Sequence, residues 1–195
     1  MSTRSMIAIE NSDGTLDAVY CHSDGYLEHV GFVLYAFYNT PEKVKALISL
    51  GAMSWLGYRI GKPFSLNKCY TDSAYFVQYQ NQCAPYYDCG KEKKKEICHY
   101  KSRNSLYKID CIDFVYIFRN GAWYVKYHKV ERLVKLEQQL KTSTVRDYLG
   151  KSQYSHLNYN AYVTEAEAMC IHNAYKKLGV IPENSKFEYC PVPLF

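Results

Sequence analysis

No stretch of this sequence approaches the roughly 18 consecutive apolar residues that a membrane-crossing helix needs, and no charged-then-apolar leader opens the chain. The expectation is a soluble, unprocessed protein. A phosphate loop ending in Gly-Lys-Ser/Thr is missing, as are the Gly-x-Gly-x-x-Gly dinucleotide fingerprint, the His-Glu-x-x-His zinc helix and the Gly-x-Ser-x-Gly nucleophile elbow. NTPases, Rossmann enzymes, zincins and α/β-hydrolases are thereby set aside. Cysteine is not scarce, at eight residues, but without a secretion signal those thiols are expected to stay reduced in a cytosol. None of them forms a Cys-x2-Cys hook. The nearest approach to a metal set, Cys83, Cys89 and Cys98-His99 around a basic loop, therefore lacks the short spacing of structural zinc sites. No cofactor is expected.

Tryptophan is also sparse, with 2 residues, whereas tyrosine is abundant, with 21 of 195 residues in a chain of net charge +5. A tyrosine ring has an apolar body and a polar tip, so a surplus suits half-buried contact surface for bases, nucleotides or a protein partner. The bland alternative is that codon bias inflates Tyr, Lys, Asn and Ile together. The length accommodates one globular domain, or a compact domain with an appendage.

Titratable and aromatic side chains concentrate in residues 16–31. Leu16, Ala18 and Tyr20 alternate with Asp17, Val19 and Cys21 as in a strand; after Gly25, Leu27, Val30, Leu34 and Phe37 follow helical spacing. Cys21, His22 and Asp24 therefore fall at a strand-to-helix junction, where backbone N–H groups and the helix dipole favour ligands. The plainer reading makes Asp24 a helix cap, His22 a solvated loop residue and Cys21 a small core residue. Cys21 and His22, being adjacent on a strand, point to opposite faces and cannot form a nucleophile–base pair with each other. His29 or His99 would have to supply the base of a cysteine enzyme. A metal-dependent nuclease built on His22, Asp24 and Glu28 or His29 has few carboxylates to offer.

Along the chain, Ile7 and Ile9 mark a first strand, joined to 16–21 through the hairpin loop 11–15. Thr40, Pro41 and Gly51 bracket a helix whose apolar face is Val44, Leu47 and Ile48. An irregular connector covers about 55–67, and the alternation of Tyr75, Val77 and Tyr79 predicts a strand within 70–80. Residues 91–108 carry seven Lys or Arg against two Glu, a basic loop within about 82–108. Asn120-Gly121, between two β-branched and aromatic runs, predicts a type I′ hairpin central to the sheet. Val130, Leu133, Val134 and Leu140 predict a helix over about 129–141. A short helix follows at 144–149, and a last one opens on the capping box Thr164-x-x-Glu167 and ends at Gly179. These elements make an α+β fold: a small antiparallel sheet packed with helices in a core domain, 1–127, and a helical C-terminal portion, 128–195.

The opening Met1-Ser2-Thr3-Arg4-Ser5-Met6-Ile7-Ala8-Ile9-Glu10-Asn11, the Tyr20-Cys21-His22-Ser23-Asp24-Gly25-Tyr26 turn and the Asn120-Gly121-Ala122-Trp123-Tyr124-Val125 hairpin resemble a widespread family of small phage and prophage proteins with no assigned activity. The resemblance covers roughly 1–57 and 112–126. It leaves the basic loop and the C-terminal helices unmatched, and it transfers no catalytic residues. What it implies is context: a phage accessory protein in a bacterial host cytoplasm, acting on host defence.

Two function classes are weighed within that context. One is an anti-CRISPR-like inhibitor of a host nucleic-acid-targeting complex, a host defence protein or nucleoprotein, which would use Tyr86, Tyr87, Lys93, Lys94, Lys95 and Arg103 to occupy a nucleic-acid groove or bind RNA. The other is a sponge for a nucleotide-like messenger such as a cyclic nucleotide, with Arg4, His22, Asp24 and Tyr26, and His29 beside them, lining a pocket. A cysteine- or metal-dependent enzyme remains a second alternative.

Overall fold

The computed structural model describes residues 2–62, 64–88, 91–92, 96–151, 155–157 and 162–189. Its centre is an eight-stranded mixed sheet. Strands β1 (Ser5–Glu10) and β2 (Leu16–Cys21) form the antiparallel hairpin expected, in register from Ser5 opposite Cys21 to Glu10 opposite Leu16. The other edge of β1 pairs in parallel with β8 (Phe114–Arg119), which turns back into β9 (Ala122–Tyr127). Asn120 and Gly121 both take positive φ, 48° and 73°, as the type I′ turn requires.

The outer edge of β2 is shared. Cys21 pairs with Met53 in β3 (Met53–Trp55), which continues to β4 (Ala84–Pro85); Leu16 to Ala18 pair with β7 (Cys98–Tyr100). Two-residue strands β5 (Tyr87–Asp88) and β6 (Lys91–Glu92) form a separate ladder between them.

One face of the sheet carries the larger core. A π-helical turn, Leu27–Gly31, runs into α1 (Phe32–Phe37), whose residues are buried almost all round, as suits a helix enclosed by sheet and neighbouring helices. Helix α2 (Pro41–Ile48) starts as expected, with Thr40 Oγ1 accepting from Lys43 N and Pro41 in the first turn. Ile7, Val19, Cys21 and Tyr116 from the sheet meet Phe32, Leu47, Leu140, Leu149 and Tyr175 in one cluster. Helices α6 (Leu136–Leu140), α7 (Ser143–Gly150) and α8 (Glu165–Leu178) thus share a core with the N-terminal strands, and residue 127 is not a core boundary. The capping box at Thr164 and Glu167 is formed, and Gly179 closes α8 with φ 71°.

Two sequence expectations are overturned. The segment 70–80 is not a strand: it is divided between α3 (Leu66–Thr71) and α4 (Ser73–Tyr79), the latter capped by Asp72 Oδ1 accepting from Tyr75 N. Tyr75 and Tyr79 are neighbours on a helix as well as alternates on a strand; their rings meet at a tilt, 4.6 Å between centroids, and Tyr79 stacks on Phe64 at 4.9 Å. The segment 129–141 is not one helix either. Val130–Lys135 is β10, antiparallel to β9, with a register shift between Val130 and Val134. Leu133 joins the cluster on one sheet face and Val134 the other, the alternation of a strand.

Candidate binding site on the second sheet face

The sheet face opposite the large helices holds a smaller core of Met6, Ala8, Leu16, Ala18, Val115 and Ile117, covered by Leu106 of α5 (Arg103–Leu106) and by Tyr107, Ile109 and Ile112. That cover stops short of the end of the sheet where β1 begins and β2 ends. There Tyr20 Oη lies 2.9 Å from His22 Nδ1. The Tyr86 ring packs edge-on against Tyr20, at 5.3 Å between centroids, and tilted against His22, at 5.7 Å.

The backbone of Arg4 is fixed beside them by Asp113: Arg4 N donates to Asp113 Oδ2 at 2.9 Å, and Asp113 N donates back to Arg4 O at 3.0 Å. The Arg4 Nε atom is buried without a hydrogen-bond partner among the described residues. Tyr20, His22 and Tyr86 are each half-buried. The Tyr20 hydroxyl has a raised pKa, first through partial burial and then through Tyr86, so it stays protonated and can donate.

The turn that carries His22 is clamped onto the start of β1. Gly25 N donates to Thr3 O at 2.9 Å, Ser2 Oγ donates to His22 O at 2.6 Å, and the buried Tyr116 hydroxyl donates to Gly25 O at 2.8 Å. A Cβ at Gly25 would stand 2.9 Å from both Ser5 Cβ and Thr3 O, so the close approach of backbone to backbone requires glycine there.

The two halves of the expected nucleotide pocket separate. Arg4 and His22 lie on the second face. Asp24, Tyr26 and His29 belong to the helical side, where Tyr26 packs against the larger core and its ring tilts toward His29 at 6.3 Å. Burial and then Asp24 push the Tyr26 hydroxyl up to about 12. Asp24 is not the helix cap: it is exposed with φ 55°, and the π-helical turn begins after Tyr26 without a side-chain cap.

His156, which the sequence did not single out, completes that second group. It stacks on Phe32 at 4.5 Å and on His29 at 5.7 Å, with Nδ1 2.8 Å from Tyr58 Oη and Nε2 2.9 Å from Glu28 O. Both ring nitrogens are engaged, and burial followed by the neighbouring His29 lowers its pKa to about 3. It is a neutral latch between the 155–157 segment and the start of the helical side.

Among the other site candidates, Arg103 is neutralised: its Nε and Nη2 donate to Glu10 Oε1 at 3.0 and 2.7 Å. Glu10 is six residues along β1 from Arg4, about 20 Å at the rise of a strand, so Arg103 stands at the far end of the sheet. Tyr87, the residue after Tyr86, opens β5. Lys93, Lys94 and Lys95 lie outside the described residues, as does Cys89. Tyr20 and Asp113 were missed by the sequence reading, although Tyr20 shares the period-two face of His22.

Cys21 is enclosed, and burial pushes its thiol up to about 12, so the thiolate a nucleophile needs is not formed near neutrality. Cys83 is buried against Tyr38 Oη at 3.2 Å, while Cys98 and His99 sit on β7, where His99 Nδ1 meets Asp17 Oδ1 at 2.6 Å. Among the described residues no three His, Cys, Asp or Glu side chains come close enough to hold a metal ion.

No protein-family model, no curated protein and no solved structure matches this chain. Fold and site together define an α+β protein with an aromatic and cationic corner on the sheet face away from its large helices. No helix among the described residues is long and apolar enough to cross a membrane.

Proposed function

We propose that this is a phage-type counter-defence binding protein, which occupies a nucleic-acid surface of a host immune complex through the Tyr20–His22–Tyr86 corner and the lysines that follow Tyr86 in the sequence. The observation that carries the reading is the ring cluster itself: three half-buried aromatic or imidazole rings in mutual contact, with Arg4 alongside. Rings in this setting stack on bases, at about 1–3 kcal/mol per base, and cations meet the phosphates between them. In the sequence, the lysine run 93–95 begins seven residues after Tyr86. The counter-defence context rests on the sequence resemblance alone.

The test is fluorescence anisotropy of a labelled single-stranded RNA, titrated with the protein at several salt concentrations. Binding should weaken linearly on a log–log plot, with a slope reduced in a Lys93, Lys94, Lys95→Ala variant. A salt-independent response, or none at low salt, counts against this reading. Purification from infected cells, followed by mass spectrometry of whatever accompanies the protein, identifies the host component.

A further inference from the structure

On the opposite side of the sheet from the aromatic corner, a groove of about 400 Å³ opens where four elements meet: the end of α1, the β8–β9 turn, the junction of β10 with α6, and α8. Its rim is polar. Lys135 and Glu137 come from the β10–α6 junction, Tyr35 and Asn39 from α1 and the residues after it, and Asn173 and Lys177 stand one helical turn apart on α8. Its floor is apolar, made by Phe118, Trp123 and Ala174.

The charges of the rim are unequally committed. Glu137 Oε1 accepts from Lys141 Nζ at 2.7 Å, whereas neither Lys135 nor Lys177 forms an ion pair among the described residues. Both lysines are exposed, and the two asparagines offer carboxamides that donate and accept. The volume falls in the range of small-molecule sites, about 300–1,000 Å³.

We infer that this groove is a second binding site, for a nucleoside monophosphate: Lys135 and Lys177 hold the phosphate, Asn39 and Asn173 read the edge of the base, and the Phe118–Trp123 floor supports its body. Two ammonium groups lining one groove suit a dianionic phosphate, carboxamides suit the mixed donor and acceptor edge of a base, and an apolar floor suits a flat ring. The site does not depend on the aromatic corner, and no residue is shared between them.

Trp123 provides the readout. In a Trp55→Phe background it is the remaining tryptophan of the chain, since the sequence has 2. Adenosine 5′-monophosphate and cytidine 5′-monophosphate should change its fluorescence saturably. Adenosine and inorganic phosphate, each carrying half of the recognised chemistry, should bind at least about tenfold more weakly, the factor expected when charge-assisted hydrogen bonds or ring contacts are removed. Lys135→Ala and Lys177→Ala, at exposed positions, should each weaken the nucleotide by about tenfold, and Lys151→Ala should leave it unchanged. Absence of a saturable response, equal affinity for inorganic phosphate and nucleotide, or undiminished affinity in the Lys135→Ala, Lys177→Ala double variant overturns the assignment.

Discussion

His22 Nδ1 lies 2.9 Å from Tyr20 Oη across one face of β2 and the turn that follows it, while Cys21 between them is turned into the helical core. A strand that alternates its side chains thus assigns the three residues different work. The imidazole and phenol become surface, and the thiol becomes filling.

Thiol reactivity follows from that division. Cys21 and Cys83 are buried with raised pKa values, whereas Cys111 is exposed. Among the described cysteines, alkylation of the native protein at pH 7.5, followed by peptide mass spectrometry, should label Cys111 first and leave Cys21 and Cys83 unmodified until unfolding. Rapid, selective labelling of Cys21 would revive a cysteine enzyme.

Gly25→Ala should destabilise the fold by about 2–4 kcal/mol, because the new methyl meets the backbone and Cβ of residues 3 to 5, which cannot retreat without disturbing the β1 edge. Tyr116→Phe, which removes the donor to Gly25 O, should cost less, about 1 kcal/mol. Chemical denaturation of both variants checks the order. A neutral Gly25→Ala would mean that the clamp over β1 is loose.

How far the sequence could foresee this structure depended on where each segment's hydrophobic pattern was decided. The β1–β2 hairpin, the Asn120-Gly121 turn, the Thr40 cap and the Thr164 box are set within a few neighbouring residues, and they are found where expected. Val130, Leu133 and Val134 satisfy a helical stripe equally well, and only the open edge of β9 makes them a strand. Tyr75, Val77 and Tyr79 mimic a strand because the 3–4 spacing of Tyr75, Phe76 and Tyr79 is embedded in the alternation. In the site, Arg4, His22 and Tyr86 were legible as chemistry. That Tyr86 would meet His22 depends on β3 and β4 extending the sheet past β2, a long-range pairing that no local pattern reveals.

Acid should weaken the protein through two half-buried imidazoles. His156 has a folded pKa of about 3, and His29 is also lowered by burial, against an ordinary 6.5. Between about 6.5 and 3 the unfolded chain binds protons that the native one excludes, so stability is complete above 6.5 and falls as pH drops through that window. At pH 5 the loss from His156 should be about 1–2 kcal/mol. His156→Gln should be less stable at pH 7.5 yet flatter between pH 7.5 and 5, as measured by urea denaturation. An unchanged slope would contradict the latch.

The N-terminus of α8 is tied to the loop after β3 by Arg59, whose Nη1 stands 2.5 Å from the Glu167 carboxylate and whose Nη2 donates to Tyr162 O at 3.0 Å. Arg59→Ala strands a largely buried carboxylate and should cost about 3 kcal/mol. Adding Glu167→Gln to that variant should recover part of the loss. A recovery of zero in the double variant would show that the two side chains act independently.

The central claim is that rings at one corner of the sheet hold the partner. Its most direct test compares the affinity of a labelled single-stranded RNA for the wild-type protein and for a Tyr20→Leu, Tyr86→Leu variant at one fixed salt concentration. The leucines keep apolar bulk but remove stacking, and the predicted result is a loss of about 2 kcal/mol or more, roughly thirtyfold, with the melting temperature little changed. Equal affinity in the two proteins would contradict it.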